Sequence, residues 1–117
     1  MNFRGIFSKS GRGRTYIIAE IGGNFTTYRK AVKLINAAKN SGVDCMKLQT
    51  YRAKNLVSRS VFFEMENTGR INQYDYFKKH ELPIELHKKI FAYAESKGLD
   101  WFSTPSHWTD EIGRAHV

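Results

Sequence analysis

Three stretches of this chain run from apolar into polar residues. They are Tyr16-Ile17-Ile18-Ala19-Glu20-Ile21-Gly22, Val43-Asp44-Cys45-Met46-Lys47-Leu48-Gln49-Thr50 and Leu99-Asp100-Trp101-Phe102-Ser103-Thr104-Pro105. Each reads as a strand that ends in polar or charged side chains. The first is expected over 15–21 and, being apolar on both faces, is expected to be covered on both. The second is expected over 44–49 and the third over 99–103. Helical patterns lie between them. Ala31, Leu34, Ile35 and Ala38 recur at helical spacing, which predicts a helix over 28–40 capped by Thr26 or Thr27 and stopped by Ser41-Gly42. Leu86, Ile90, Phe91 and Ala94 predict a second helix over 84–97, opened by Pro83 and stopped by Gly98. A shorter helix is expected over 73–80. Thr109 or Asp110 reads as the cap of a further helix.

The β-α-β-α-β order implies a parallel sheet with right-handed crossovers. Such a sheet gathers the carboxyl ends of its strands on one side, where (β/α) barrels keep their chemistry. The pattern alone does not separate a barrel from an open doubly wound sheet. The polar run over 50–72 is longer than most βα loops, and such loops are functional or carry small elements of their own. Residues 1–14 read as an irregular leader, with a short strand over 2–7.

Composition narrows the class. The chain has 117 residues, 41% hydrophobic and 14% aromatic, so it is globular in character. It is about half of a typical ~250-residue barrel. No apolar run approaches the ~18 residues that a membrane span needs, and the start lacks the apolar core of a secretory signal. The single cysteine excludes an internal disulfide, which fits a reducing compartment and a cytoplasmic protein. The net charge of +8 is spread along the chain, with one short basic tract over 8–14. That distribution reads as a solvated surface rather than a nucleic-acid arm, and no nucleic-acid motif accompanies it.

Several residues are candidates for chemistry. Glu20 ends an apolar strand, where a carboxylate needs a partner or a solvated cleft. It reads equally as an acid/base group or as a structural partner of Lys47. Lys47 and Gln49 share a strand face with Cys45; an ammonium beside an amide suits an anionic substrate. Ser103 and Thr104 precede a helix start and could meet a phosphate, although ordinary turn chemistry accounts for them as well. His107 has no second ligand at metal spacing. His80 and His87 read as surface residues of helices. Cys45 reads as a small apolar packing residue. Gly22-Gly23 lacks the Gly-x-Gly-x-x-Gly spacing of a dinucleotide site.

Taken in order, Ile17-Ile18-Ala19-Glu20-Ile21-Gly22, Lys47-Leu48-Gln49-Thr50, Gln73-Tyr74 and Phe102-Ser103-Thr104-Pro105 resemble the N-terminal part of the N-acetylneuraminate (sialic acid) synthase family. The resemblance covers about 16–110. It implies an α/β fold, a partial (β/α)8 TIM barrel made of about the first three βα units. It implies condensation of phosphoenolpyruvate with an N-acetylated amino sugar, N-acetylmannosamine or a close relative, to a nine-carbon 2-keto acid and phosphate. A divalent metal, Mn2+ or Mg2+, serves that reaction, and its ligands lie on later strands, so no metal ligand is assigned here. Lys47 and Thr104 would meet phosphoenolpyruvate, Gln49 the sugar, Ser103 would also bind substrate, and Glu20 would act as acid/base or orient water. The full-length parent would be a homodimer, with no nucleic-acid or membrane partner. One departure stands out: Phe25 occupies the place where many members have histidine, which suits a branch with a different acceptor.

The domain reading follows: a leader over 1–14, the barrel part over 15–110, and a tail over 111–117. An ordinary codon choice for Glu111-Ile112-Gly113-Arg114-Ala115-His116-Val117 resembles the start of a sequencing-library adapter, so this tail reads as non-native. About three strands of eight leave open edges, so the chain alone is expected to be inactive and prone to aggregate. Two other readings remain open from sequence: another phosphoenolpyruvate-dependent barrel synthase, such as a 3-deoxy-keto-acid phosphate synthase, and a small basic α/β binding module.

Overall fold

The computed structural model describes residues 15–110. The leader, its strand over 2–7, the basic tract over 8–14 and the tail lie outside the described residues. The elements run β1 (Ile18–Glu20), α1 (Tyr28–Asn40), β2 (Cys45–Thr50), α2 (Ala53–Leu56), β3 (Phe62–Met65), β4 (Gly69–Asn72), α3 (Gln73–His80), α4 (Ile84–Ser96) and β5 (Asp100–Pro105), followed by a 3-10 turn at Trp108–Asp110.

Strands β1, β2 and β5 form a parallel sheet in that order. Helices α1 and α4 link them and pack against each other on the same face of the sheet. Periodicity explains the packing: Ala31, Ile35 and Ala38 of α1 and Ile90, Phe91 and Ala94 of α4 close on Met46 and Leu48 of β2. Tyr93 Oη donates to Asn36 Oδ1 at 2.7 Å and ties the two helices together. Thr27 caps α1, accepting from the Lys30 amide at 3.3 Å. Gly42 follows α1 at φ 77, a conformation in which a side chain would clash with the backbone.

β1 differs from the expectation of a strand covered on both faces. It spans three residues, and Ile17 and Ile18 are 48% and 47% exposed. The reason is its position: β1 is an edge that pairs only with β2. Among the described residues, neither α1 nor α4 packs on the face that carries Ile18.

The long run after β2 does carry elements of its own. Helix α2 comes first, then the antiparallel hairpin β3–β4. Phe63 of the hairpin packs edge-on against Tyr76 and Phe77 of α3, and Phe77 meets Tyr51. Asn72 caps α3 by accepting from the Asp75 amide at 3.1 Å. Among the described residues no helix is long and apolar enough to cross a membrane.

Candidate functional site

Parallel register decides what meets at the strand ends. Glu20 lies beside Lys47, Lys47 beside Phe102, and Gln49 beside Thr104. Alternation then places Glu20, Lys47, Gln49 and Thr104 on one face of the sheet, opposite the helices. Lys47 Nζ sits 2.6 Å from Glu20 Oε2, with the two side chains 29% and 39% exposed. Both readings of Glu20 therefore meet in one geometry: it is the partner of Lys47, and the pair stands open to solvent at the carboxyl ends of the strands.

The turn after β1 completes the corner. The Gly22 amide donates to Glu20 Oε1 at 3.0 Å. A Cβ on Gly22 would lie 2.6 Å from the Gln49 backbone nitrogen and 3.0 Å from its Cγ. Only glycine lets the β1 turn lie this close to β2. Gly22 carries no functional group, and the signal of its role in the sequence is its place two residues after Glu20.

Ser103 is separated from the other four. It lies one residue from Thr104, so its side chain faces the helix layer. There its hydroxyl meets Thr50 Oγ1, and Thr50 Oγ1 lies 2.9 Å from His87 Nε2. His87 is not a surface residue, as its helical position had implied; it is 1% exposed. The Thr50 hydroxyl and the Pro83 carbonyl satisfy the ring, so α4 buries an imidazole without leaving a donor or acceptor unpaired. His80 is half-buried rather than fully on the surface. Its Nδ1 lies 2.8 Å from the Tyr76 carbonyl, and its ring lies over Tyr76.

Burial lowers the His87 pKa below the ordinary imidazole value, outweighing the backbone contacts at Pro83 and Leu82, which act upward. The sign of the stability effect follows. Between the lowered native value and the unfolded value of ~6.5, the unfolded chain binds more protons. Stability is therefore lost as pH falls below about 6.5, and this group costs nothing above it. Denaturant midpoints measured at about pH 7.5 and 5.5 are expected to fall in acid, and His87→Phe should remove that part of the fall.

At the other end of the same face, Tyr16 Oη donates to Asp100 Oδ2 at 2.6 Å beside buried Cys45. Burial, reinforced by Asp100, drives the Tyr16 pKa far up, so it stays a neutral donor. Cys45 packs as expected, fully buried.

A cavity of about 190 Å³ lies elsewhere, lined by Thr50, Tyr51, Arg52, Glu81, Pro83 and Asp110 among others. It contains none of Glu20, Lys47, Gln49 and Thr104. Its wall is internally paired. Asp110, buried, accepts from the Arg52 amide at 3.3 Å and faces Arg52 Nε at 3.5 Å, while Glu81 accepts from the Ala53 amide at 3.0 Å. His107 is engaged locally with Thr109, whose amide donates to Nδ1 at 3.2 Å. Among the described residues no group of three or more His, Cys, Asp or Glu is placed to hold a metal ion.

Fold and site together define a parallel α/β protein whose charged and amide side chains cluster at the carboxyl ends of adjacent strands. Comparison with known proteins makes the assignment specific. Residues 34–111 match the model of the NeuB family, and the chain belongs to that family. It is 32% identical over 97 residues to a pseudaminic acid synthase of Campylobacter jejuni, covering 79% of this chain and 28% of that protein. It is 36% identical over 94 residues to an N,N'-diacetyllegionaminic acid synthase of Legionella pneumophila, covering 76% and 26%. The chain thus spans under a third of the length of these relatives. Among solved structures it resembles the N-acetylneuraminic acid synthetase of Leptospira borgpetersenii, with a TM-score of 0.67, 21% identity, and coverage of 81% of this chain and 30% of that one. That likeness shows the α/β fold.

Proposed function

We propose that this chain forms the first part of a (β/α)8 barrel in a synthase that condenses phosphoenolpyruvate with an N-acetylated amino sugar. The observation that carries the reading is the register that sets Glu20, Lys47, Gln49 and Thr104 on one face at the strand ends. Both crossover helices pack on the opposite face, which suits a sheet curling into a barrel with that polar face inward.

Each residue has a role that its chemistry supports. The Lys47 ammonium offsets the charge of phosphoenolpyruvate, which competes with Glu20 for it. Thr104, beside Gln49, supplies a hydroxyl to the same substrate. The Gln49 amide, with two donors and an acceptor, suits sugar hydroxyl or acetamido groups. Glu20, held by the Gly22 amide, handles protons or orients water as water attacks the oxocarbenium-like carbon. The product is a nine-carbon 2-keto acid, with phosphate released.

The described residues bring together no ligand set for the divalent metal that such a synthase uses. The acceptor follows the N-acetylmannosamine pattern in class. The pseudaminic and legionaminic relatives favour a modified amino sugar as acceptor, and Phe25 of this chain, standing where histidine is usual, supports the same choice. The parent is a cytoplasmic homodimer in this reading.

The test is phosphate release by the protein that carries this chain, supplied with phosphoenolpyruvate, Mn2+ or Mg2+, and one acceptor at a time. Release that requires N-acetylmannosamine or a diacetamido hexose is expected. Release that requires an aldose phosphate would replace the reading with a 3-deoxy-keto-acid phosphate synthase. No release with any acceptor would overturn it.

A further inference from the structure

A buried relay lies directly behind the polar face. His87 Nδ1 is 3.2 Å from the Pro83 carbonyl oxygen, and its Nε2 is 2.9 Å from Thr50 Oγ1. A carbonyl oxygen only accepts, so Nδ1 carries the proton. The Nε2 of a neutral ring then accepts, and the Thr50 hydroxyl donates to it. Thr50 has a single proton, so its contact with Ser103 is one in which Ser103 donates. The three protons therefore run in one direction, Ser103 to Thr50 to His87 to Pro83, and each member fixes the next.

The relay joins three elements that the site depends on. Thr50 follows Gln49 on β2, Ser103 precedes Thr104 on β5, and His87 belongs to the helix that leads into β5. The Ser106 amide also donates to the Thr50 carbonyl at 3.0 Å, so the β2 and β5 ends are clamped at the same level by backbone and side chain alike.

We propose that His87 is a positioning residue: its neutral imidazole orients the Thr50 and Ser103 hydroxyls, and so holds the ends of β2 and β5 at the height that sets Gln49 opposite Thr104. This rests on the functional reading above only in the roles given to Gln49 and Thr104. A histidine buried for packing alone would need its volume and no more. A positioning histidine needs an acceptor at the Nε2 place.

Three variants separate these. His87→Phe keeps an aromatic ring in the buried position and removes the acceptor. His87→Gln returns an acceptor near the Nε2 place. Thr50→Val removes the central hydroxyl. His87→Phe and Thr50→Val are each expected to raise KM for phosphoenolpyruvate and sugar about tenfold with kcat changed less than about threefold. The double variant should be no worse than either single one, because the residues act as a unit. His87→Gln should recover most of the loss. In parallel, NMR should find the Nδ1–H tautomer. It should also find the Gln49 side-chain and Thr104 amide resonances shifted in His87→Phe and Thr50→Val and returned in His87→Gln. Folded variants with unchanged KM and unchanged resonances would overturn the proposal, as would an Nε2–H tautomer. If His87→Phe does not fold, Thr50→Val carries the test. A protein without the proposed activity overturns the functional reading alone, and the resonances then decide the relay.

Discussion

Replacing Lys47 with methionine is expected to lower kcat/KM for phosphoenolpyruvate by about a thousandfold. Methionine keeps the unbranched stem and removes the charge. Lys47 is the third residue of β2, level with the carboxyl end of β1, and its ammonium lies 2.6 Å from Glu20 within the polar face. In the proposed reaction it meets an anion whose charge shifts as the carbon–oxygen bond to phosphorus breaks. A fixed cation in a site that excludes water as it fills contributes more there than in bulk solvent. Stability should move little, by about 1 kcal/mol or less, because Glu20 and Lys47 are both partly exposed and solvent screens the pair. Lys47→Arg tests geometry against charge: a forked guanidinium keeps the charge but not its position, and should recover only part of the loss. Steady-state phosphate release at saturating sugar measures all three proteins. A Lys47→Met enzyme within about threefold of wild type would leave Lys47 as a structural partner of Glu20 and nothing more.

The second large effect is expected at Gly22. Gly22→Ala introduces a Cβ 2.6 Å from the Gln49 backbone nitrogen and 2.9 Å from Glu20 Oε1. The Glu20 carboxylate can swing away, but the Gln49 nitrogen is backbone, and no side-chain rotation relieves that contact. β2 is the central strand, paired on both sides, so the turn after β1 has to move. The expected cost is about 2 kcal/mol of stability, in the range for overpacking. Catalysis should fall further than stability, because the displaced turn carries the amide that holds Glu20 and abuts Gln49. Gly23 provides the contrast. It has φ 79, but a Cβ there meets nothing closer than Gln49 Oε1 at 3.8 Å. Gly23→Ala should therefore cost about 1 kcal/mol of backbone strain and leave most activity in place. Urea unfolding alongside kinetics distinguishes the two. Equal activity losses at Gly22 and Gly23 would show that strain, not the approach to β2, is what matters.

Much of this molecule was legible from residue order. The helix over 28–40 appears where periodicity and capping place it, because a helix is specified by contacts within a few residues, and the short helix over 73–80 keeps its expected bounds. The hairpin β3–β4 was only implied, as content for a long loop. Its signal, Asn67-Thr68-Gly69 between Phe62-Phe63 and Ile71, was present but weak, since a lone hairpin gains its stability from the aromatic contacts with α3. β1 was expected to be covered on both faces and is half open, because apolar composition reports what a strand would bury and not what lies beside it.

The site shows the same division. Residue order alone shows which polar side chains the three strands carry: Glu20, Lys47, Gln49, Ser103 and Thr104. Alternation even required Ser103 and Thr104 to point in opposite directions. Which of the two shares a face with Lys47 depended on the β2–β5 register, and that register arises from contacts between residues more than fifty positions apart. Tertiary structure alone decided it, along with the burial of His87, whose helical position was neutral until β2 and β5 brought Thr50 and Ser103 to it. Local order is set by short-range sterics and hydrogen bonding. The identity of a neighbour across the sheet is set by how the helices close over the core, and no segment of the chain contains that information on its own.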